Sequence, residues 1–293
     1  MPELPEVETV RRGLQKRLKG FVINTVNVYR ARAIASKGGI DTFIDLMNGS
    51  EITCWERRGK YLIAKLQNQV DLSGKEYKKQ DKEKGWLVVH LRMTGHFEIR
   101  EIAIPPCRHT RVSFTSSKGE QLSFIDIRSF GQMWAIPPNS SPESMIKGLG
   151  ALGPEPFDSD FNPQYLIEKL RGKSRPIKTA LLDQSLIAGI GNIYADESLF
   201  LAGIAPYKKS GELSEVEIQR LCKSIIKVLK ISIGKGGTTF KDFRDLEGLN
   251  GNYGGEAWVY RRANKACRKC GAKIVRQKIN GRGTHWCKSC QKS

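Results

Sequence analysis

The chain has 293 residues, of which 39% are hydrophobic and 27% are charged, and its formal net charge is +19. Its length is sufficient for two domains with a small appended module, and its composition is typical of soluble globular proteins. No apolar run reaches roughly 18 residues, which argues against a membrane-spanning helix. The large positive charge predicts a polyanionic partner, most commonly a nucleic acid.

The N-terminal region is predicted to form a helix followed by a β domain. Apolar residues recur at helical spacing over 5–19, from Val7 to Leu18. Apolar segments then predict strands at 21–29, 61–66, 86–93, 111–115, 121–127 and 133–136, with a short helix at 41–47. The pattern indicates a mostly antiparallel β-sandwich flanked by helices, which we assign to residues 1–136.

Two polar segments interrupt or end this domain. Residues 68–85 (NQVDLSGKEYKKQDKEKG) lack apolar periodicity, which predicts a surface insertion between two strands. The stretch PPNSSPES begins at residue 137 and is typical of a linker, which we place at 137–152.

Residues 153–255 are predicted to form a helical second domain. Asn162-Pro163 is typical of a helix start, and another helix is predicted from Asn192 to residue 202. Ser214 and Glu217 form a capping-box pattern for a long helix that reaches about residue 233.

The last module, residues 256–293, contains two cysteine pairs. Cys267 and Cys270 form one C-x-x-C pair, and Cys287 and Cys290 form another after an interval of sixteen residues. This spacing predicts a four-thiolate tetrahedral zinc site. The zinc would be structural, since four protein ligands leave no open position for water.

The segment between the cysteine pairs is predicted to form a hairpin that turns near Asn280-Gly281 and places Arg282 at its tip. Residues 257–293 include 11 Lys or Arg and no Asp or Glu. Over half of the excess positive charge therefore lies in this module. Alone, a basic zinc ribbon indicates either nucleic-acid binding or a structural clip.

Pro2 is a candidate nucleophile. Initiator methionine is normally removed before a small residue, so we expect Pro2 to become the N-terminus. Its secondary amine would be less basic than lysine and could form an iminium with an aldehyde-like carbon. In isolation, Met-Pro-Glu is far more typical of an ordinary sequence before a helix.

Several motifs together closely resemble the formamidopyrimidine-DNA glycosylase family, over nearly the whole chain. In chain order, and ahead of the cysteine pairs, they are PELPEVETVRRGL, RRGKYL, LRMTGHF, DIRSFG and GIGNIYADESLF. The resemblance implies an α+β protein with an N-terminal β-sandwich domain flanked by helices. It also implies a helical helix–two-turns–helix domain that ends in a β-hairpin zinc finger.

The resemblance also implies catalytic roles for four residues. Pro2 matches the nucleophile that forms a Schiff base with the damaged nucleoside, and Glu3 matches the acid that assists opening of the sugar ring. Lys60 matches a lysine that contacts phosphate and assists β-elimination. Arg282 matches the zinc-hairpin arginine linked to δ-elimination.

Further positions match residues that contact DNA or line the site. Met93, Arg128 and Phe130 match three residues that fill the space left by an everted nucleotide. An apolar wedge can fill the unstacked gap, and an arginine can hydrogen-bond the orphaned partner base. The other matched positions are Glu6, His109, Lys173, Lys178 and Asn192.

The implied function is that of a bifunctional DNA glycosylase and AP lyase of base-excision repair. Its substrate would be double-stranded DNA containing 8-oxoguanine or formamidopyrimidines, and its one cofactor would be structural zinc. The N-terminus lacks the basic start and apolar core of a signal peptide. We therefore expect a location in the cytoplasm, associated with the nucleoid. We also expect the protein to be a monomer.

Two alternatives stay open on the sequence. An endonuclease VIII-like glycosylase of oxidised pyrimidines usually begins PEGPE, whereas this chain has PELPE. A non-catalytic zinc-ribbon protein that only binds DNA would need neither Pro2 nor Lys60.

Overall fold

The computed structural model describes residues 1–68, 83–238 and 253–293. Its described residues divide into two compact units, one formed by 1–2 with most of 6–150, and the other by 3–5, 151–238 and 253–293. Within the described parts of the chain, no helix is long and apolar enough to cross a membrane.

The first unit contains an eight-stranded antiparallel sheet and flanking helices. Its helices are α1 (Leu4–Leu18), α2 (Gly39–Met47), α3 (Pro142–Met145) and α4 (Lys147–Gly150). Its strands are β1 (Phe21–Val28), β2 (Ser50–Arg58), β3 (Tyr61–Asn68), β4 (Glu83–His90), β5 (Gly95–Arg100), β6 (Thr110–Ser116), β7 (Gln121–Asp126) and β8 (Gln132–Ile136). The strand order is β5-β7-β6-β1-β2-β3-β4-β8.

The sheet folds back on itself at β1, which confirms the predicted sandwich. Phe21 and Val22 pair with β2, whereas Ile23 and 25–28 pair with β6, with a register shift between Ile23 and Thr25. Trp55 on β2 packs edge-on against Phe97 on β5 with ring centroids 6.2 Å apart, although β5 lies at the far edge of the strand order. One core therefore contains side chains from both layers together with α1 and α2.

Two strands of this unit, β2 and β5, are absent from the sequence prediction, and some predicted strand bounds are wrong. The strand predicted at 86–93 ends at His90, so that Met93 lies in a turn. The ends of the predicted 68–85 insertion belong to β3 and β4, and the rest of it lies outside the described residues. Helices α3 and α4 lie within the segment 137–152.

The second unit is helical and ends in a hairpin. Its elements are α5 (Pro163–Leu170), α6 (Ile177–Leu181), α7 (Asn192–Ala202), α8 (Glu215–Gly234), β9 (Val275–Ile279) and β10 (Arg282–Trp286). The predicted caps are confirmed. Asn162 accepts the Tyr165 N–H at 2.9 Å, and Ser214 and Glu217 form a reciprocal capping box at the start of α8.

Helix α7 holds the segment that leads into the zinc ribbon. The fully buried Glu197 carboxylate accepts the backbone N–H groups of Trp258, Val259 and Tyr260 at 2.8–2.9 Å. Burial raises the pKa of Glu197, and these donors act in the opposite direction. Burying a carboxylate is costly unless it is hydrogen-bonded, and here three backbone donors offset that cost. The same bonds satisfy N–H groups that would lose their acceptor without Glu197.

Glu197→Ala should destabilise the second unit. The substitution leaves three backbone donors without their acceptor, and each such loss costs about 1–3 kcal/mol. We expect the free energy of unfolding to fall by about 3 kcal/mol or more, measured by urea denaturation. Glu212→Ala removes only an exposed ion pair with Lys209 and is the control. Equal urea midpoints for the two variants would contradict this role.

Candidate active site and nucleic-acid contacts

Glu3 is held at the N-terminus of α7. Its side chain is 3% exposed, with Oε1 accepting the Ile193 N–H at 2.9 Å and Oε2 accepting the Tyr194 N–H at 3.3 Å. The residue before the helix, Gly191, has no side chain to cap these donors. Glu3 therefore caps α7 from a distant part of the chain, where the helix dipole also favours its negative charge.

The glycines of the GIG sequence leave room for this contact. A Cβ on Gly191 would lie 2.3 Å from Cδ of Glu3, and one on Gly189 would lie 2.6 Å from Leu4. The Leu4 N–H also donates to the Gly189 carbonyl at 3.0 Å. The two motifs PEL and GIG thus fit each other, which the sequence alone did not reveal.

Pro2, Glu6 and Lys60 belong to the other unit and are all buried. Glu6 lies in the first turn of α1. Lys60 lies in the tight turn between β2 and β3 and is 6% exposed. A nearly buried lysine at this turn can offer its charge to an anion with little competition from water.

His90 is a polar residue near Lys60 that the sequence reasoning missed. Burial, followed by the positive charges of Arg92 and Lys60, lowers the pKa of His90 to about 3. Its Nδ1 accepts the Arg92 N–H at 3.0 Å, so the neutral ring carries its hydrogen on Nε2. That N–H can donate to an anion. The signal in the sequence was a histidine that ends the apolar strand WLVVH.

The structure brings Met93, Arg128 and Phe130 together on the surface of the first unit. Met93 and Phe130 are 38% and 39% exposed, and both contact Arg128, so they form one exposed apolar patch. The Arg128 guanidinium lies 4.8 Å from the Phe130 ring centroid, and its Nη1 lies 3.0 Å from Met93 Sδ. Met93 and Phe130 line a cavity of about 390 Å³ together with Arg32 and Arg92.

Buried Asp126 positions this cluster. Its carboxylate accepts the Gly131 N–H at 2.7 Å and the Arg128 N–H at 3.2 Å, and it also binds the Thr94 hydroxyl. Asp126 therefore ties the turn that carries Arg128 to the turn that carries Met93. Its role was not predicted, although it begins the motif DIRSFG.

His109 and Lys173 occupy more open positions. His109 is half-buried just before β6, with Nε2 accepting from Arg108 at 2.9 Å. Lys173 is exposed in the loop before α6, and its carbonyl accepts the Gly211 N–H at 2.8 Å. The exposed ammonium of Lys173 can reach a phosphate from the second unit.

The hairpin of the zinc ribbon is confirmed. Asn280 and Gly281 have φ angles of 45° and 76°, and the turn they form joins β9 to β10. Arg282 follows directly and is exposed. The side-chain amides of Asn192 and Asn280 attach the hairpin to the helices, by donating to the Gly283 carbonyl and to Thr179 Oγ1 at 3.0 Å each.

Lys178 lies beside this hairpin but inside the protein. It is 1% exposed, and its Nζ lies 2.6 Å from Oδ1 of Asp196. Burial lowers the pKa of Lys178, and the Asp196 carboxylate acts in the opposite direction. Its predicted contact with DNA stays a prediction, since the ammonium faces protein atoms in this structure.

The four cysteines form a zinc site. Their Sγ atoms all lie within 4.8 Å of one another, with Cys267 and Cys290 separated by 3.9 Å and Cys270 and Cys287 by 3.5 Å. A tetrahedral ion with Zn–S bonds of about 2.3 Å requires sulfur–sulfur distances of about 3.8 Å. The donor set and its spacing therefore fit one zinc ion with a closed, structural coordination shell.

Three family models match consecutive parts of the chain. Residues 1–133 match the formamidopyrimidine-DNA glycosylase N-terminal domain, and residues 152–244 match the H2TH domain of the same enzymes. Residues 264–292 match the zinc finger found in FPG and IleRS. The models together match well over half of the chain.

Individual relatives match over the full length. A formamidopyrimidine-DNA glycosylase of Prochlorococcus marinus is 60% identical over 291 residues, which cover 99% of this chain and 100% of the relative. Among solved structures, the Lactococcus lactis FPG in complex with a Fapy-dG containing DNA is 35% identical, with a TM-score of 0.84 and coverage of 99% and 100%. MutM in complex with carbocyclic 8-oxo-G containing DNA is 36% identical, with a TM-score of 0.86 and full coverage of both chains.

The predicted motifs, the fold and the zinc site agree with these matches over the whole chain. The chain belongs to the formamidopyrimidine-DNA glycosylase family.

Proposed function

We propose that this protein is a bifunctional DNA glycosylase and AP lyase that removes oxidised purines from double-stranded DNA. The observation that carries the proposal is the Glu3 carboxylate, which the first-turn amides of α7 hold directly after Pro2 in the chain. An acid fixed next to a potential N-terminal amine is the pair that imine-forming glycosidic cleavage requires.

The first step uses Pro2 after removal of Met1. The proline nitrogen attacks C1′ of the damaged nucleoside, and the bond from C1′ to the base breaks with its electron pair leaving on the base. The nitrogen loses its proton after the attack, and the departing base takes up one proton, so the charges balance. Glu3 supplies a proton to the ring oxygen, so that the sugar opens and C1′ becomes an iminium on Pro2. The rigid hold on Glu3 fixes where that proton is delivered.

Two eliminations then cut the strand. In the first, C2′ loses a proton and the C3′–O bond breaks, so the 3′ phosphate leaves as an anion. In the second, C4′ loses a proton and the C5′–O bond breaks, so the 5′ phosphate leaves. We assign Lys60 to the first departing phosphate and Arg282 to the second, since cations stabilise the charge that develops there.

The remaining proposed contacts hold the DNA open. Met93 and Phe130 are apolar and exposed, as a wedge for an unstacked gap must be, and the adjacent Arg128 can donate to the unpaired base. Lys173 offers its charge to a phosphate. At the start of α7 the proposed phosphate donor is the backbone N–H of Asn192 itself, because Glu3 accepts the N–H groups of the two following residues. Because the substrate is chromosomal DNA, we place the enzyme in the cytoplasm at the nucleoid.

The bound DNA of two structural relatives supports the purine assignment, while the Lactococcus lactis FPG also forms a complex with an oxidized pyrimidine containing DNA. One holds a Fapy-dG containing DNA and another a carbocyclic 8-oxo-G containing DNA. The PELPE start and the full-length match disfavour the alternative pyrimidine enzyme. A non-catalytic DNA-binding protein is disfavoured by the match of the whole N-terminal catalytic domain.

A blocked N-terminus should abolish both activities. If Met1 is retained, the Pro2 nitrogen is an amide whose lone pair is delocalised, and it cannot attack C1′. Base release from an 8-oxoguanine duplex and cleavage of a pre-formed abasic duplex should both disappear, while binding to undamaged DNA persists. Gel assays of trimmed and blocked protein measure this. Full activity of the blocked protein would reject Pro2 as nucleophile.

Glu3→Gln should separate the two activities. The variant keeps the amine but lacks the acid, so it should still cleave a pre-formed abasic site and fail to release 8-oxoguanine. The side-chain oxygen of glutamine can still accept one amide hydrogen bond from α7. Comparing single-turnover rates on the two duplexes checks this. Equal losses on both substrates would show that Glu3 acts on the amine instead.

Loss of zinc should unfold the ribbon. Cys267→Ser removes one of four ligands, and because zinc binding supplies the folding energy of such modules, zinc content and affinity for DNA should both fall. Cys54→Ser replaces a cysteine outside the cluster and is the matched control. A Cys267→Ser protein with a full equivalent of zinc would contradict the assignment.

A further inference from the structure

A closed polar cluster fixes the zinc hairpin to the helices of the second unit. The Lys178 ammonium pairs with Asp196 at 2.6 Å, donates to the Gly283 carbonyl at 3.1 Å and donates to Thr284 Oγ1 at 2.9 Å. Two of the three ammonium hydrogens are therefore donated to the hairpin, while its charge is paired with the carboxylate. The side chains of Lys178, Asp196 and Thr284 are all at most 1% exposed.

The same cluster reaches the backbone of β10 on both sides of Thr284. The other oxygen of Asp196, Oδ2, accepts the His285 N–H at 2.8 Å. The Thr284 hydroxyl, which accepts from Lys178, donates in turn to the Arg282 carbonyl at 3.1 Å. A continuous chain of polar contacts therefore runs from α7 through Lys178 to the backbone of Arg282.

These contacts argue against a direct bond from Lys178 to DNA. To reach a phosphate, the ammonium would have to leave a carboxylate that would then be buried without its partner. Breaking a buried pair in this way is strongly unfavourable, whereas exposed lysines reach phosphates without such a loss. The neighbouring Lys173 is exposed and is better placed for that contact.

We propose that Lys178, Asp196 and Thr284 are positioning residues that hold the Arg282 backbone for the second elimination. The inference rests on the proposed function, in which Arg282 stabilises the departing 5′ phosphate. Arg282 itself is exposed on a two-stranded hairpin, and such a hairpin is too small to fix its own tip. The buried cluster adds rigidity to that supplied by Asn192 and Asn280, and it does so at the carbonyl of Arg282 itself.

A matched pair of substitutions at Thr284 tests the cluster. Thr284→Val keeps the shape of the side chain but removes the hydroxyl, whereas Thr284→Ser keeps the hydroxyl. On a pre-formed abasic duplex, Thr284→Val should lower the rate of the second elimination about tenfold or more, because small misplacements have effects of this size. Borohydride trapping of the Schiff base should stay within about twofold of the parent. Thr284→Ser should behave like the parent in both assays.

The salt dependence of DNA binding distinguishes positioning from phosphate contact at Lys178. Each lost phosphate contact reduces the slope of log affinity against log salt concentration by about 0.9. Lys178→Met should leave the slope unchanged, whereas Lys173→Met should reduce it. Zinc content is measured in parallel, since the slope is interpretable only for protein that retains its ribbon.

Two results would overturn the proposal. One is a Thr284→Val protein whose second elimination is as fast as that of Thr284→Ser. The other is a reduced slope of log affinity against log salt concentration in Lys178→Met protein that retains its zinc. If Lys178→Met loses zinc, the Thr284 pair alone decides. If borohydride trapped no covalent adduct between the parent protein and DNA, the proposed function would be rejected instead. Failure of the positioning proposal and failure of the proposed function are therefore distinguishable.

Discussion

The structure depends on one capping interaction, in which the Glu3 carboxylate binds the first-turn amides of α7. A helix begins with unpaired N–H groups and a positive dipole, and here no neighbouring side chain satisfies them. A carboxylate from the N-terminus of the chain does so, and Gly191 leaves the space it needs. Since Pro2 directly precedes Glu3, with consecutive Cα atoms ~3.8 Å apart, this bond also restrains Pro2.

Buried carboxylates farther along α7 also bind distant segments of the chain. The helix is buried on nearly all sides, yet its middle carries Asp196 and Glu197, and each of these carboxylates is satisfied by backbone N–H groups or by Lys178. Buried charges are costly unless paired, so their partners are held in narrow geometries. The ribbon is consequently placed by directional polar bonds, in addition to a small apolar cluster around Phe200. Directional bonds suit a module whose arginine must act at one phosphate.

Features that depend on residues close in sequence could be predicted. The capping residues Asn162 and Ser214, the hairpin turn at Asn280 and the zinc ligands all follow from local chemistry, and the structure confirms them. Strand β2 was missed because the alternation in SEITCWERR is interrupted at the register shift between Ile52 and Cys54. Strand β5 was missed although GHFEIR alternates, because the segment is short and its pairing with β7 depends on a distant part of the chain. The burial of Lys178 was missed for a related reason, since its partner Asp196 lies on a different helix. In the sequence alone, Lys178 is indistinguishable from a lysine that binds phosphate.

The central claim is that the N-terminal amine forms the covalent intermediate. The most direct measurement is borohydride reduction of the protein with a duplex containing 8-oxoguanine, followed by protease digestion and mass mapping of the DNA-linked peptide. The account predicts a single adduct, on the nitrogen of Pro2 in protein that has lost Met1. An adduct on Lys60, or trapping by protein that retains Met1, would contradict it.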